Sequence, residues 1–267
     1  MMTGIDVSYA QGNINWDKAK NHIDFAIIRA GYGKGNIDSK FIQNIKACNK
    51  LNIPCGIYWF SYALNDSMAK AEAEYCINLI KDYKIDFPVC FDYEYDSLNY
   101  AKKHNATPNK NLLVAIASAF LSRVEELGYY SMNYTNPDFL NRGFSELTNR
   151  FDTWLAEWRV SSPNKSCGIW QYSSTGKIAG ITGNVDLDIS YNNYPEIIKN
   201  LSLNTSKTPT TKPDKYKSYN EMAKDYYNKA IDVIEGKYST NGERETLLKQ
   251  AGYDPYIVQK IVNFILS

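Results

Sequence analysis

Apolar and polar positions alternate along the first two hundred residues with two different periods. Short runs rich in Val, Ile, Tyr, Phe and Trp, bounded by turn residues, predict strands over residues 3–8, 25–30, 53–60, 87–95, 129–135, 153–158, 168–173 and 185–189. Between the early runs, apolar residues recur three and four positions apart, as in Ile77, Ile80 and Tyr83 or Leu113, Ile116 and Phe120. That period predicts helices over 15–20, 39–51, 67–83 and 110–127. Strand and helix in repeated alternation favour a parallel sheet, and eight strands favour its closure into a barrel. The later strands are joined by short loops, so the second half of the barrel is expected to be irregular.

The pattern changes after residue 203. Residues 204–218 (NTSKTPTTKPDKYKS) are polar, have almost nothing to bury and read as an extended linker. Helical periodicity returns over 219–235 and 243–251, and Asp254-Pro255 opens a last helix through Leu266, with Asp254 as N-cap. The expected inward residues are Ile231, Ile234, Leu247, Leu248, Val258, Ile261 and Ile265. The fold class is therefore α/β: an irregular TIM-like β/α barrel (1–203), a linker (204–218) and a small three-helix bundle (219–267).

Composition narrows the function. The 267 residues carry 30 Lys+Arg against 29 Asp+Glu, a net charge of +1, which argues against nucleic acid as a partner. Five cysteines without C-x-x-C spacing exclude common zinc and redox motifs and read as small buried hydrophobes. With two histidines, His22 and His104, neither catalysis nor metal binding rests on a histidine cluster. The opening MMTGIDVSYA has no basic n-region or apolar h-region, so no signal peptide is expected. The longest apolar stretch, 112–121, is too short to span a bilayer. A soluble, cytoplasmically made protein without a membrane partner is expected.

In a βα barrel, chemistry sits at the C-terminal ends of the strands. Those ends carry Asp6 (GIDVS), Asp92, Glu94 and Asp96 (FDYEYD), and Asp186 and Asp188 (NVDLDIS). Asp92 and Glu94, two apart on a strand, face the same way with Cα atoms roughly 6–7 Å apart. Two acids side by side in a cleft repel when both are ionised, which raises the pKa of one and gives a proton donor beside a carboxylate, as glycoside hydrolysis requires. The same acids also suit a Mg²⁺ or Mn²⁺ site and phosphodiester chemistry. Against that reading, GYGKG (residues 31–35) lacks the third glycine of a phosphate-cradling loop and reads as a tight turn. Aromatics crowd the same ends, among them Tyr58, Tyr62, Tyr134, Trp154 and Trp158, as a stacking platform for sugar rings. Arg29 and Gln171 add polar groups.

GIDVSYAQG, IIRAGYGKG, the D-Y-E of FDYEYD and WQYSSTGKIAGITGNVDLD resemble glycoside hydrolase family 25, the Chalaropsis-type lysozymes common as phage endolysins. The resemblance covers residues 2–200 and implies hydrolysis of the β-1,4 bond between N-acetylmuramic acid and N-acetylglucosamine in peptidoglycan, without a cofactor or metal. It implies Glu94 as general acid, Asp92 as its partner carboxylate, and Asp6 and Asp186 as further acids of the cleft. Tyr62, Tyr134, Trp154 and Gln171 fall in the substrate groove on the same basis. The tail, AIDVIEGKYSTNGERETLLKQAGYDPYIVQKIVNFIL, is similar to the cell-wall-binding repeat of some phage lysozymes. It is present in one copy, and self-association would be one route to avidity. The implied protein acts on the bacterial wall after release from the cell. The alternatives are a metal-dependent phosphodiesterase on the same acidic rim and a catalytically silent wall-binding lectin.

Overall fold

The computed structural model describes residues 1–205, 228–238, 242–253 and 255–266. Residues 1–210 and 211–267 form two compact units.

The first unit is built on strands β1 (Met2–Val7), β2 (Phe25–Tyr32), β3 (Asn36–Ile37), β4 (Cys55–Phe60), β5 (Val89–Asp92), β6 (Ser131–Thr135), β7 (Asp152–Ala156), β8 (Ile169–Gly176) and β9 (Val185–Ser190). Eight of them close a barrel in the order β1-β9-β8-β7-β6-β5-β4-β2, with β1 pairing back on β2. All eight predicted strands are present. The pairings from β1 through β2, β4, β5, β6 and β7 to β8 are parallel, whereas β9 runs antiparallel to both β8 and β1. The reason is length: the 177–184 connection is shorter than the dozen or so residues a parallel crossover needs.

The predicted helices correspond to α1 (Trp16–Ala19), α2 (Phe41–Leu51), α3 (Asp66–Ile80) and α5 (Lys110–Glu126). The sequence pattern misses α4 (Tyr95–Lys103), α6 (Pro137–Arg142) and α7 (Tyr194–Asn200). They are too short, and α4 too polar, to show a stripe; α4 buries only Ser97 and Ala101. The GYGKG segment is the tight turn expected of it, with Gly33 and Gly35 at φ of 52° and 74° between β2 and β3.

Alternation along the strands divides the core in two. Phe25, Ile27, Phe87, Cys90, Met132, Trp154 and Ile169 form one cluster, with Phe25 and Phe87 stacked at 4.4 Å. The residues between them in sequence face the helices, where Ile57, Val89 and Phe91 meet Ala73, Ile77, Ile116 and Phe120. Four of the five cysteines are buried and Cys167 is half-buried; all five are free.

Asn204 departs from the linker expected there. Its side chain is buried, accepts from the Tyr130 amide at 2.8 Å and donates to the Ile85 and Phe87 carbonyls at 3.2 and 3.0 Å. A polar residue whose hydrogen bonds are all made inside the fold belongs to the barrel. Residues 206–218, the rest of that segment, lie outside the described residues.

In the second unit, α8 (228–234), α9 (Gly242–Gln250) and α10 (Pro255–Leu266) pack Ala230, Val233, Leu248, Val258 and Val262 together. Leu248, Val258 and Ile261 take the inward role expected of them. Ile234 and Leu247 are exposed, because their neighbours Val233 and Leu248 occupy the core positions instead. Ile231 is half-buried. The Ile265 side chain and the first part of the 219–235 helix lie outside the described residues.

Candidate active site

β5 and β9 stand diametrically opposite in the barrel order. Asp92, the last residue of β5, is 3% exposed and points inward. The strand ends there rather than at Tyr95. Glu94 still keeps an extended backbone (φ −127°, ψ −168°), so the alternation carries both acids to the inner side. Glu94 is also the N-cap of α4, where its amide donates to Ser97 Oγ at 3.1 Å.

Asp186 reaches the same mouth because β9 is reversed. It lies near the start of its strand, paired with Asp6 near the end of β1, while Asp188 pairs with Gly4 one layer deeper. The cleft between these acids encloses about 510 Å³, open mouth included, and is lined by Asp6, Tyr58, Asp92, Glu94, Tyr134, Trp154, Trp158, Gln171 and Asp186.

A hydrogen-bond chain ties its floor together. Tyr134 Oη and Trp158 Nε1 donate to Gln171 Oε1 at 3.3 and 3.1 Å. Gln171 Nε2 donates to Asp6 Oδ2 at 2.7 Å, and Trp154 Nε1 donates to Asp188 Oδ1 at 2.8 Å. The glutamine thus fixes Asp6 and the outermost tryptophan at once.

Burial raises the pKa of every acid here, since water that would solvate the charge is excluded. Asp92 is raised well above the usual carboxylate range by burial and then by the Glu94 charge. Glu94 is raised by burial, with Asp96 and Asp186 adding repulsion; its hydrogen bond with Asp92 acts in the opposite direction. The rise expected at Glu94 is present, with burial as its largest cause. Asp92 and Glu94 therefore titrate as a pair, with burial disfavouring ionisation of both. The positive end of α4 also favours an ionised Glu94, but burial outweighs it. Across the cleft, Asp6 is raised by burial and by Asp188 and Asp186. Burial pushes Asp186 up to about 6 and Asp188 up to about 8.

Of the residues predicted from sequence, Asp6, Asp92, Glu94, Asp186, Tyr58, Tyr134, Trp154 and Gln171 share this cleft. Arg29 and Tyr62 stand beside it. Arg29 is held by Asp38, with Nε and Nη2 each 2.7 Å from Oδ2, and its charge still reaches Asp92. The Tyr62 ring packs on Phe60 and Tyr100, at 5.2 and 4.9 Å. Asp188 and Trp158 stand among the strand-end acids and aromatics of the sequence, but the family resemblance gave neither an individual place in the site. The signals were an acid spaced by two on a strand and a tryptophan just past a strand end. Trp158 is 47% exposed, a large apolar surface left at the mouth. Among the described residues no group of three His, Cys, Asp or Glu side chains is disposed to hold a metal ion. A proton donor, several carboxylates and aromatic walls in one cleft suit acid-catalysed cleavage of a glycosidic bond.

The family model "Glycosyl hydrolases family 25" matches residues 5–181, and the CW_7 repeat model matches 229–266. Lysozyme M1 of Streptomyces globisporus is 28% identical over 198 residues, covering 68% of this chain and 65% of that protein. The modular autolysin LytC of Streptococcus pneumoniae, solved with a synthetic peptidoglycan ligand, superposes with a TM-score of 0.60 at 29% identity, over 71% of this chain and 46% of that one. A family 25 glycosyl hydrolase of Bacillus anthracis gives 0.63 at 26% identity, over 74% and 93%. The chain thus spans less than two thirds of the length of the first two.

Proposed function

The chain belongs to glycosyl hydrolases family 25, and from that membership we propose that it hydrolyses peptidoglycan at the β-1,4 bond between N-acetylmuramic acid and N-acetylglucosamine. The observation that carries this reading is the buried Asp92–Glu94 pair facing Asp6 and Asp186 across an aromatic-walled cleft; on this reading the pair holds one proton, on Asp92 while the cleft is open. Glu94 is the outer member and the general acid. A glycan filling the cleft removes its remaining water, raises its pKa and draws the shared proton from Asp92 toward the glycosidic oxygen. Asp6 and Asp186 then face the positive charge that develops on the sugar ring. The N-acetyl carbonyl of the substrate then serves as nucleophile, oriented by Asp186 or by the Asp92 carboxylate that the proton has left.

The tail is the wall anchor, a reading that rests on the CW_7 match. Barrel plus anchor is the plan of an endolysin that meets the wall after release. Mass spectrometry of purified peptidoglycan after digestion tests the proposal: new reducing ends at N-acetylmuramic acid are expected, and cleavage at any other bond overturns it.

A further inference from the structure

The stripe of α3 that faces the barrel consists of Ala69, Glu72, Ala73, Cys76, Ile77 and Ile80. Glu72 is its one charged member, and it is 2% exposed. A carboxyl placed there costs desolvation that a leucine would not, so its partners matter. One oxygen accepts from the Tyr62 amide at 3.0 Å, and the nearby Ser61 hydroxyl favours the ionised carboxyl. The other oxygen, Oε2, is buried without a hydrogen-bond partner.

Two features connect this carboxyl to the cleft on the far side of the sheet. First, the Ser61 amide donates to the Asp92 carbonyl at 2.7 Å, so the turn held by Glu72 extends the β4–β5 ladder at the catalytic end. Second, Tyr93, between Asp92 and Glu94, points the opposite way from both, into the layer under α3. It is 1% exposed, its hydroxyl is buried without a partner, and the Glu72 charge helps to raise its pKa to about 12. Glu72 therefore meets the strand end from behind at the Ser61–Tyr62 turn, and its charge reaches Tyr93. The neutral donors of the turn and the Tyr93 phenol are the polar groups that face it.

We infer that Glu72 is a positioning residue, fastening the Ser61–Tyr62 turn and backing Tyr93 so that Asp92 and Glu94 are held in register for proton transfer. Burial supports this by pushing the carboxyl up to about 7, a neutral form able to donate from one oxygen while the other accepts. The inference rests on reading Asp92 and Glu94 as the reacting pair.

The test compares Glu72→Gln with Glu72→Met in the full chain. Gln keeps an acceptor for the Tyr62 amide, whereas Met fills the space and offers none. On soluble peptidoglycan chains, Met is expected to lower kcat by about tenfold or more, because a small misplacement of reacting groups costs rate steeply. KM should change less, and Gln should restore kcat to within about threefold of the parent. Hydrogen exchange gives a second readout that needs no activity: the Tyr62 amide should exchange about tenfold faster in the Met variant and not in the Gln variant. If the parent cuts no peptidoglycan, the proposed function fails while exchange still decides whether Glu72 fastens the turn. Unchanged kcat and exchange in the Met variant, or equal losses in both variants, overturn the inference. Should Glu72→Met not fold, Ser61→Ala loosens the same turn by removing the hydroxyl near Glu72 that also accepts from the Ala63 amide at 3.2 Å. A kcat about threefold lower is then expected, and a parent-like kcat overturns the inference.

Discussion

Replacing Asp188 by Asn isolates the stability cost of the acid cluster. Asp188 is fully buried, accepts from Trp154 Nε1 at 2.8 Å and is hydrogen-bonded to Asp6. Asn keeps both contacts, with its carbonyl oxygen for the tryptophan and its amide as donor to Asp6. Asp6 and Asp188 titrate as a pair, so Asn removes one titrating carboxyl and the repulsion it exerts on Asp6. Folding moves this carboxyl from 3.8 to about 8. Between those values the folded chain holds a proton that the unfolded chain has released, so stability falls as pH rises through that window. At pH 7 the proton is held about three pH units above the unfolded pKa, a cost of at most about 4 kcal/mol at 1.36 kcal/mol per unit. At pH 4 the cost shrinks to a few tenths of a kcal/mol, because the unfolded carboxyl is then about half protonated. For a unit of this size, about 4 kcal/mol corresponds to a Tm shift of roughly 10 °C. Calorimetry of parent and Asp188→Asn at pH 4 and pH 7 is the assay. Near-coincident barrel transitions at pH 4 and a higher-melting Asn variant at pH 7 are expected. A variant that melts lower at pH 7, or one offset equally at both pH values, would refute the argument that burial of a titrating group sets the cost.

Glu94→Gln should lower turnover by about a hundredfold or more with Tm little changed, since it removes the transferable proton but keeps the shape; activity within a fewfold of the parent removes Glu94 as the acid. Asn204→Ala should destabilise the barrel by about 2–4 kcal/mol in urea titrations, because it strands the Tyr130 amide and two carbonyls in the interior. A chain ended after residue 210 should cut soluble chains like the parent yet lyse whole cells poorly, while one ended after 203 should also melt lower. Equal lysis with and without the tail would leave the anchor without its role. Activity should be unchanged by EDTA, and loss on chelation with recovery on added Mg²⁺ would favour the phosphodiesterase alternative.

The barrel was legible because its strands are strongly apolar and their alternation survives without context. The acids were legible for the complementary reason: Asp6, Asp92 and Asp186 are charged residues in strands, where charge is disfavoured. Three things were not readable. The reversal of β9 depends on loop length against its neighbours, and only the reversal puts Asp186 rather than Asp188 at the mouth. Glu72 lies on an otherwise apolar helix stripe, a visible anomaly whose meaning required knowing what lies beneath it. Asn204 has the composition of a linker and the contacts of a core residue, and no local pattern separates the two.

The sharing of protons also explains how so many acids occupy one cleft. Arg29 is the cation whose charge reaches Asp92, but Asp38 already binds it at 2.7 Å, so little positive charge remains to offset five carboxyls. Full ionisation would set like charges against one another in a space from which water is largely excluded. One proton shared within each of the pairs Asp92–Glu94 and Asp6–Asp188 would leave one charge per pair, with a hydrogen bond stabilising it. On this account the open cleft already stores the proton that the first step consumes, one residue away from the group that delivers it. The same storage predicts that Asp92→Asn slows turnover even though Glu94 is untouched, because its amide donates a hydrogen bond but has no acidic proton to pass on. A pH–rate profile for Asp92→Asn whose acidic pKa falls toward that of an ordinary glutamate would follow from losing the reservoir. A profile unchanged from the parent would show that Glu94 draws its proton from elsewhere.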